Sequence, residues 1–326
     1  MDRTEATPED LPPLELRKLR DLDVARPAGD ERPPYVSSAS AVARRGDFIY
    51  VIGDDELDLA VFTISVPEPG ELRRALPGEL PADTGERSRD KPDIEALTSL
   101  PPFESEPYGG LLGLGSGSKR SRDRGFFWSL AADGSLAGEP RAIDLGPLYT
   151  TLRQRIDELN IEGAAMLGDA FWLFHRGNGA EADNLVVELA LDDVMGSLAG
   201  DLAIDPGELR EVRSYELGEL DGTGLCFSDA TALDDDTIVF TASAEVSGDG
   251  PDAGAIRGSV VGAIEASGEV RRLRTIDRNW KVEGVHATID TGVVDFVFVC
   301  DQDADEPSPL LSATMPLDQG LEGPRR

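Results

Sequence analysis

The sequence is poor in the residues that bind transition metals or form disulfides. It has two cysteines and two histidines among 326 residues. Cys226 and Cys300 form neither a C-x-x-C pair nor a zinc-binding spacing. We therefore expect two buried thiols, and the shortage of His and Cys disfavours a zinc or copper centre.

Basic residues are also scarce. Lys and Arg total 31 against 63 Asp and Glu, for a formal net charge of −32, and the acidic excess extends along the whole chain. Such a chain repels nucleic acid and anionic membrane surfaces, which excludes both as expected partners. Only four of the basic residues are lysines. This pattern is typical of adaptation to salt, and a GC-rich genome is the alternative explanation for the arginine bias.

Long apolar runs are absent. No segment approaches the roughly 18 residues of a membrane helix. The first ten residues are polar and acidic, unlike the basic and then apolar start of a signal peptide. We expect a cytoplasmic monomer whose partner is a small-molecule ligand, possibly anionic.

An internal repeat indicates the fold, because repeats of this size are typical of propellers and solenoids. Five segments have a polar or acidic residue followed by a small one. They begin Ala39-Ser40-Ala41-Val42, Ile94-Glu95-Ala96-Leu97, Ile161-Glu162-Gly163-Ala164, Ser228-Asp229-Ala230-Thr231 and Val282-Glu283-Gly284-Val285. With Ser40, Glu95, Glu162, Asp229 and Glu283 as equivalent positions, the spacings of 54 to 67 residues are the size of a propeller blade.

Each repeat continues into further strands. Second strands are predicted at 48–52, 111–114, 170–174, 237–241 and 293–299, and third strands at 59–64, 125–130, 184–189, 259–264 and 310–315. Outer fourth strands are predicted at 210–215 and 270–276, and helical insertions at 149–159 and 191–202. The fifth repeat ends near residue 317 without an outer strand, so we expect residues 14–24 to supply one.

The resulting prediction is an all-β fold, a single β-propeller of about five blades closed by an N-terminal strand. A closed ring leaves no open sheet edge. The propeller would span residues 13–317, between a flexible N-terminus at 1–12 and a flexible tail at 318–326. A six-bladed ring and two unrelated sandwiches are the alternatives.

The repeated acids predict a site in the central channel. The first strand of each blade lines the channel, so these side chains converge at its mouth. Converging carboxylates repel one another unless they are protonated or bind a cation. A hard divalent ion, calcium above all, suits oxygen ligands. The predicted ligands are Glu95, Glu162, Asp229, Glu283, Asn178 and Asp301. Alternatively, the acids cap strand ends or pair with Arg176 and Lys281.

Three motifs carry a family resemblance. Lys91-Pro92-Asp93-Ile94-Glu95-Ala96, Asn160-Ile161-Glu162-Gly163-Ala164 and Trp280-Lys281-Val282-Glu283-Gly284-Val285 resemble the strand starts of phytase/esterase-like and gluconolactonase-like propellers. The resemblance extends over most of residues 36–315. It implies a calcium-supported site that acts on phosphate esters or lactones, with metal-facing roles for Glu95, Glu162, Asp229 and Glu283. A propeller family of unknown function is the alternative.

Further residues near the repeat starts suggest chemistry. The predicted substrate-binding set, which would hold an anion such as phosphate, is Lys91, Lys119, Arg120, Arg176 and Lys281. These cations could instead only neutralise the acids. His175 ends a second strand and is a candidate general acid or base, with Glu162 and Asp229 as further catalytic candidates. His286 is expected to be a buried, hydrogen-bonded histidine.

Two segments resemble known binding motifs, but the surrounding sequence excludes both motifs. The glycine-rich run 113–118 lies between strands instead of opening a helix, which excludes a P-loop. The alternating acids from Asp301 lack the glycine and the final glutamate of an EF-hand loop. Two functions are favoured: a calcium-dependent hydrolase, or a non-catalytic propeller that binds a ligand, protein or ion. Another class of enzyme, such as a glycosidase that uses two of the channel acids, is the further alternative.

Overall fold

Most strands in the described part of the chain form five sheets that are arranged in a ring as blades. The computed structural model describes residues 3–104, 106–177, 183–207, 209–246, 254–277, 280–301 and 306–317. Two strands, β1 (Arg3–Glu5) and β2 (Arg17–Asp21), precede the first repeat. The first blade consists of β3 (Ala39–Arg45), β4 (Phe48–Gly53), β5 (Asp58–Thr63) and β6 (Glu71–Arg74).

The next two blades have the same order. The second consists of β7 (Ile94–Leu100), β8 (Gly110–Gly115), β9 (Arg124–Ser129) and β10 (Arg141–Asp144). The third consists of β11 (Ile161–Leu167), β12 (Ala170–His175), β13 (Asn184–Ala190) and β14 (Glu211–Glu216). A short hairpin of β15 (Glu219–Leu220) and β16 (Thr223–Gly224) leads to the fourth blade.

The last two blades complete the ring. The fourth consists of β17 (Cys226–Ala232), β18 (Thr237–Glu245), β19 (Ile256–Glu265) and β20 (Val270–Thr275). The fifth has β21 (Val282–Asp290), β22 (Val293–Cys300) and β23 (Pro309–Pro316). The inner strands β3, β7, β11, β17 and β21 contact one another in sequence, and β21 contacts β3. The prediction of a five-bladed propeller is confirmed, and the six-bladed and sandwich alternatives are excluded.

The N-terminal segment closes the ring. Strand β2 pairs antiparallel with β23, with Arg17 opposite Ser312 and Asp21 opposite Pro309, as predicted. The preceding residues differ from the prediction of a flexible terminus, because β1 pairs in parallel with the outer edge of β14. That edge offers unpaired backbone groups, and the Arg3 guanidinium lies 2.9 Å from the Glu216 carboxylate.

Three helices lie between strands in the described part of the chain. They are α1 (Thr84–Asp90), α2 (Gly146–Leu152) and α3 (Leu191–Ala199). Helix α1 was not predicted, although Asp83 caps it by accepting a hydrogen bond from the Glu86 N–H at 2.9 Å. Helix α2 begins earlier than predicted because Pro147 starts it, and it ends at Leu152. No described helix has the length and apolarity to cross a membrane.

The hydrophobic core is divided among the interfaces between blades. Five apolar clusters occur, one between each pair of neighbouring sheets. Leu22, which follows β2, belongs to the cluster between the fifth and first blades. Cys300 is buried in the cluster between the fourth and fifth blades, Cys226 is only partly buried, and neither forms a disulfide. The inner strands are therefore fixed against one another from both sides.

Candidate functional site at the channel mouth

Each inner strand begins with a β-bulge. The register with the second strand shifts at Ser40, Glu95, Glu162, Ser228 and Glu283. A bulge leaves one residue out of the ladder and redirects its side chain. The bulge falls at four of the five positions that the sequence aligned, but in the fourth blade it falls at Ser228 and not at Asp229. The ring therefore consists of three glutamates and two serines.

Asp229 joins two blades. It lies one residue past the bulge and is 1% exposed. Its Oδ2 accepts a hydrogen bond from the Val285 N–H at 2.8 Å, and its Oδ1 accepts one from the Ala230 N–H at 2.7 Å. Burial raises the pKa of this carboxyl well above its usual range, although the two N–H donors oppose the shift. Both carboxylate oxygens thus join strands, and the metal-binding and catalytic roles of Asp229 stay predictions.

The two ring serines position the glutamates of the next blade. The Ser40 hydroxyl donates to the Ile94 carbonyl at 2.7 Å, directly before Glu95. The Ser228 hydroxyl donates to the Val282 carbonyl at 3.1 Å, directly before Glu283. These bonds fix the backbone from which each glutamate projects, so the serines support the acidic ring without adding charge.

Arg176 and Lys281 neutralise one side of the mouth. The Arg176 guanidinium lies 2.7 Å from the Glu245 carboxylate, 3.8 Å from that of Glu162 and 4.0 Å from that of Glu283. The Lys281 ammonium lies 2.9 Å from the Glu283 carboxylate and 3.1 Å from that of Asp301. These are the ion pairs of the alternative interpretation, in which the cations balance the acids.

A second charged group lies on the other side, around Asp93. The Lys91 ammonium is 2.6 Å from the Asp93 carboxylate and also contacts Asp54. The Arg122 guanidinium is 2.8 Å from Asp93. Burial opposes ionisation of Asp93, but Lys91, Ser116 and Arg122 outweigh it and lower the pKa of this carboxyl. Asp93 also has a left-handed backbone, with φ of 59°, a conformation that Asp tolerates better than most residues.

Glu95 differs from the other acids of the mouth. Its carboxyl makes no hydrogen bond or ion pair with any residue within the described ranges. Burial raises its pKa well above the usual value, the negative charges of Glu162, Asp54 and Asp93 raise it further, and Lys91 opposes them. Such a carboxyl must hold a proton or lie beside an additional cation.

Glu162 is the neighbouring carboxyl with a near-neutral pKa. Burial raises its pKa to about 7, with Arg176 opposing the shift. The Asn160 side-chain amide donates to its Oε1 at 2.5 Å. Glu162 can therefore gain or lose a proton near neutral pH, as a proton-transfer group must.

Three carboxylates could hold a cation. Asp54, Asp93 and Glu95 each place one oxygen within 4.8 Å of the others. An all-oxygen set of this kind suits calcium or magnesium and not zinc or copper. The Lys91 ammonium contacts two of the three acids, so these residues fit a hard cation only where the ion takes the place of that ammonium.

His175 ends β12 directly before Arg176 of the mouth, but its side chain turns into the interface between blades. Along β12 its side chain is on the same face as Phe171 and Leu173, which pack between the second and third blades. Its Nδ1 accepts a hydrogen bond from the Asn160 N–H at 3.0 Å, and burial lowers its pKa to about 4. His175 thus holds Asn160, which bonds to Glu162. This contact gives His175 a positioning role, and its acid–base role stays a prediction.

The remaining predicted residues divide between the mouth and the surface. Lys91, Arg176, Lys281, Glu283 and Asp301 lie in the mouth. Lys119 is exposed, and Arg120 donates to the Thr150 hydroxyl at 2.9 Å beside α2, so both lie outside it. Asn178 lies outside the described residues.

Sequence reasoning missed three residues of this site. Ser228 could have been aligned with Ser40, because both are serines followed within two residues by alanine. Asp93 lies two residues before Glu95 in a motif that was already singled out. Arg122 gave no local signal, because its contact with Asp93 depends on how the loop after β8 folds back.

Comparison with protein families identifies the family of this chain but no activity. The chain belongs to a family of unknown function (DUF6929). The match covers residues 35–315, which include all five inner strands of this DUF6929 chain. No curated protein matches the sequence.

Solved structures similar to this DUF6929 chain have low sequence identity. Myxococcus xanthus glutaminyl cyclase is 10% identical, with 94% of this chain and 99% of that chain covered at a TM-score of 0.46. A putative exported protein of Bacteroides fragilis is 10% identical, with 97% and 99% covered at 0.38. A luciferin-regenerating enzyme is 12% identical, with 87% and 78% covered at 0.40. None of these similarities assigns an activity to the chain.

Proposed function

We propose that the channel mouth binds a hard divalent cation, with calcium favoured, and that the protein is a hydrolase of a small anionic substrate such as a phosphate ester or lactone. The observation that carries this proposal is the Glu95 carboxyl. It lacks a polar partner among the described residues and lies close to Asp54 and Asp93. A cation at this point would balance charge that the protein's own bases leave uncompensated.

The charge balance of the mouth supports the same proposal. Its acids are Asp54, Asp93, Glu95, Glu162, Glu245, Glu283 and Asp301, and its bases are Lys91, Arg122, Arg176 and Lys281. The acids are in excess, and a divalent ion would reduce that excess. Glu95, Asp54 and Asp93 would hold the ion, and Lys91 would turn away.

The chain's own residues would then perform distinct tasks. A bound divalent ion supplies a Lewis acid for a phosphoryl or carbonyl oxygen. Glu162, with a pKa of about 7, would transfer a proton near neutral pH. Arg176 and Lys281 border Glu162 and Glu283 and would orient the negative end of a substrate. The resemblance to phytase/esterase-like and gluconolactonase-like propellers supports this class of reaction.

A non-catalytic binding propeller is the second candidate. The observation that favours it is that Arg176 and Lys281 already contact two or more carboxylates each. Cations engaged in this way act as fixed structural charges. The ion would then stabilise the ring, and a ligand would bind above it without being cleaved.

Calcium titration by calorimetry on metal-stripped protein tests the proposal. We expect saturable binding that Glu95→Gln weakens at least tenfold and Lys91→Met strengthens, because the ammonium no longer competes. Glu71→Gln, an exposed acid of β6, is the matched control and should leave the affinity unchanged. Absence of binding, or equal binding by the Glu95 variant, overturns the metal site.

A hydrolysis screen separates the two candidates. Calcium-dependent turnover of p-nitrophenyl phosphate or a γ-lactone, lost in Glu162→Gln, supports the hydrolase. Calcium binding without turnover of phosphate esters or lactones favours the non-catalytic propeller.

A further inference from the structure

The far end of the channel has a different chemistry from the mouth. The inner strands run from the mouth to this end, so their last residues surround a second opening. A cavity of about 680 Å³ lies there, lined by residues from all five inner strands. Its polar lining includes Arg44, Arg45, Thr98, Ser99, Thr231 and His286.

Two adjacent arginines, Arg44 and Arg45, line this opening. Among the described residues, neither Arg44 nor Arg45 forms an ion pair, and the Arg44 Nε–H donates to the Gly46 carbonyl at 3.1 Å. In a chain with a net charge of −32, most arginines of the blades contact acids. Two adjacent arginines without such contacts therefore form an unusual positive region.

Charged residues from three strands line the opening around His286. Arg44 and Arg45 lie on β3, Asp290 on β21 and Asp295 on β22. The lining residues from β7, β11 and β17 are uncharged. Burial lowers the pKa of His286 to about 4, and the positive charges of Arg44 and Arg45 lower it further. Arg44 and Arg45 therefore disfavour a proton on the imidazole.

Hydroxyl groups complete the opening. Thr98, Ser99 and Thr231 line it, and the Ser99 hydroxyl has no hydrogen-bond partner within the described ranges. Arginine forks with hydroxyl donors beside them are the groups that proteins use to bind phosphate or carboxylate.

We propose that this second opening binds a small anion bearing a phosphate or carboxylate group, held by Arg44, Arg45 and His286. The ligand would supply a negative charge for the two arginines, which form no ion pair among the described residues, and its binding would raise the pKa of the imidazole. This site is separate from the mouth. Glu95 and Glu283 lie near the first residues of β7 and β21, whereas Ser99 and Asp290 lie near the last residues of the same strands.

Proton NMR on the full-length protein provides a direct test, because the chain has two histidines. Inorganic phosphate is titrated at constant ionic strength with EDTA present, and His286→Gln assigns the resonances. We expect a saturable shift of the His286 signal, a rise of its pKa by at least one unit, and no change at the buried His175.

Variants and a second anion complete the test. Arg44→Gln should weaken phosphate binding at least tenfold, while Arg73→Gln, an exposed arginine of β6, should leave it unchanged. Glu95→Gln should also retain phosphate binding, which separates this site from the proposed metal site. Titration with citrate in place of phosphate distinguishes a carboxylate ligand from a phosphate ligand.

Three outcomes overturn the proposal. They are no saturable shift of His286 with either anion, an equal response to sodium chloride, and unchanged binding in a folded Arg44→Gln variant. Circular dichroism of each variant checks that it is folded.

Discussion

Gly284 of β21 lies directly against Ala41 of β3, so that a Cβ added at Gly284 would be 3.0 Å from the Ala41 Cα. The same relationship recurs between Gly163 and the fourth blade, where an added Cβ would lie 2.7 Å from the Ala230 nitrogen. Each glycine directly follows a ring glutamate. The repeated pair of an acid and a small residue therefore does two things: it points a carboxyl into the channel and lets neighbouring inner strands pack closely.

Gly284→Ala should destabilise the protein by about 1–3 kcal/mol, because the added methyl group would lie 2.6 Å from the Val299 Cγ2 and 3.0 Å from the Ala41 Cα, and these neighbours must move. Urea unfolding measures this loss. Gly196→Ala in α3 is the control, since an added Cβ there meets nothing within 4 Å, and alanine should hold or raise stability by up to about 1 kcal/mol. Equal effects of the two substitutions would show that the close contact does not limit packing.

The sequence was sufficient to predict the blades but not the details of the ring. The second and third strands were predictable because apolar runs such as 293–299 are bounded by turn residues, and residues 14–24 were the segment left to close the ring. The acid-plus-small pattern selects Asp229, followed by Ala230, and so misplaces the bulge at Ser228 by one residue. A one-residue register difference changes which side chain faces the channel.

The chemistry of individual residues was harder to predict than their location. His175 was expected at the mouth from its place at the end of β12, but strand alternation turns its ring into the interface between blades. The pairing of Lys91 and Arg122 with Asp93 joins residues from different loops. Contacts of this kind depend on loop conformations that a local sequence pattern does not encode.

Asp229→Ala should cost about 1–3 kcal/mol of stability, because the buried Val285 and Ala230 N–H groups lose their acceptor. Asp229→Asn keeps one carbonyl oxygen and should recover part of this loss. Neither substitution should change calcium affinity more than twofold if Asp229 only joins strands. A tenfold loss of calcium affinity in the Asn variant would instead restore Asp229 as a metal ligand.

Glu162 should make stability depend on pH. Its pKa rises from 4.5 to about 7 on folding, so between these values the folded protein holds a proton that the unfolded chain has released. The free energy of unfolding therefore falls as the pH rises through this window, and Glu162→Gln removes that contribution. From pH 5 to 8, the stability of the wild type relative to Glu162→Gln should fall by roughly 1–3 kcal/mol.

Urea unfolding at four pH values with EDTA present measures this difference. Glu71→Gln serves as the comparison, because its carboxylate is exposed on β6 and its effect should not vary with pH. If the stability difference between the wild type and Glu162→Gln stays constant from pH 5 to 8, Glu162 titrates as an ordinary glutamate.

The N-terminal closure of the ring should depend on one buried leucine. Leu22 is 0% exposed, donates its N–H to the Ser308 carbonyl at 2.9 Å and packs between the fifth and first blades. Leu22→Ala should therefore cost about 2–5 kcal/mol, from lost burial and the cavity that remains. Leu19→Ala in the preceding strand β2 is the matched control, because Leu19 is 44% exposed and should cost less than about 0.5 kcal/mol. If both variants have the same midpoint of urea unfolding as the wild type, the N-terminal segment does not hold the ring closed.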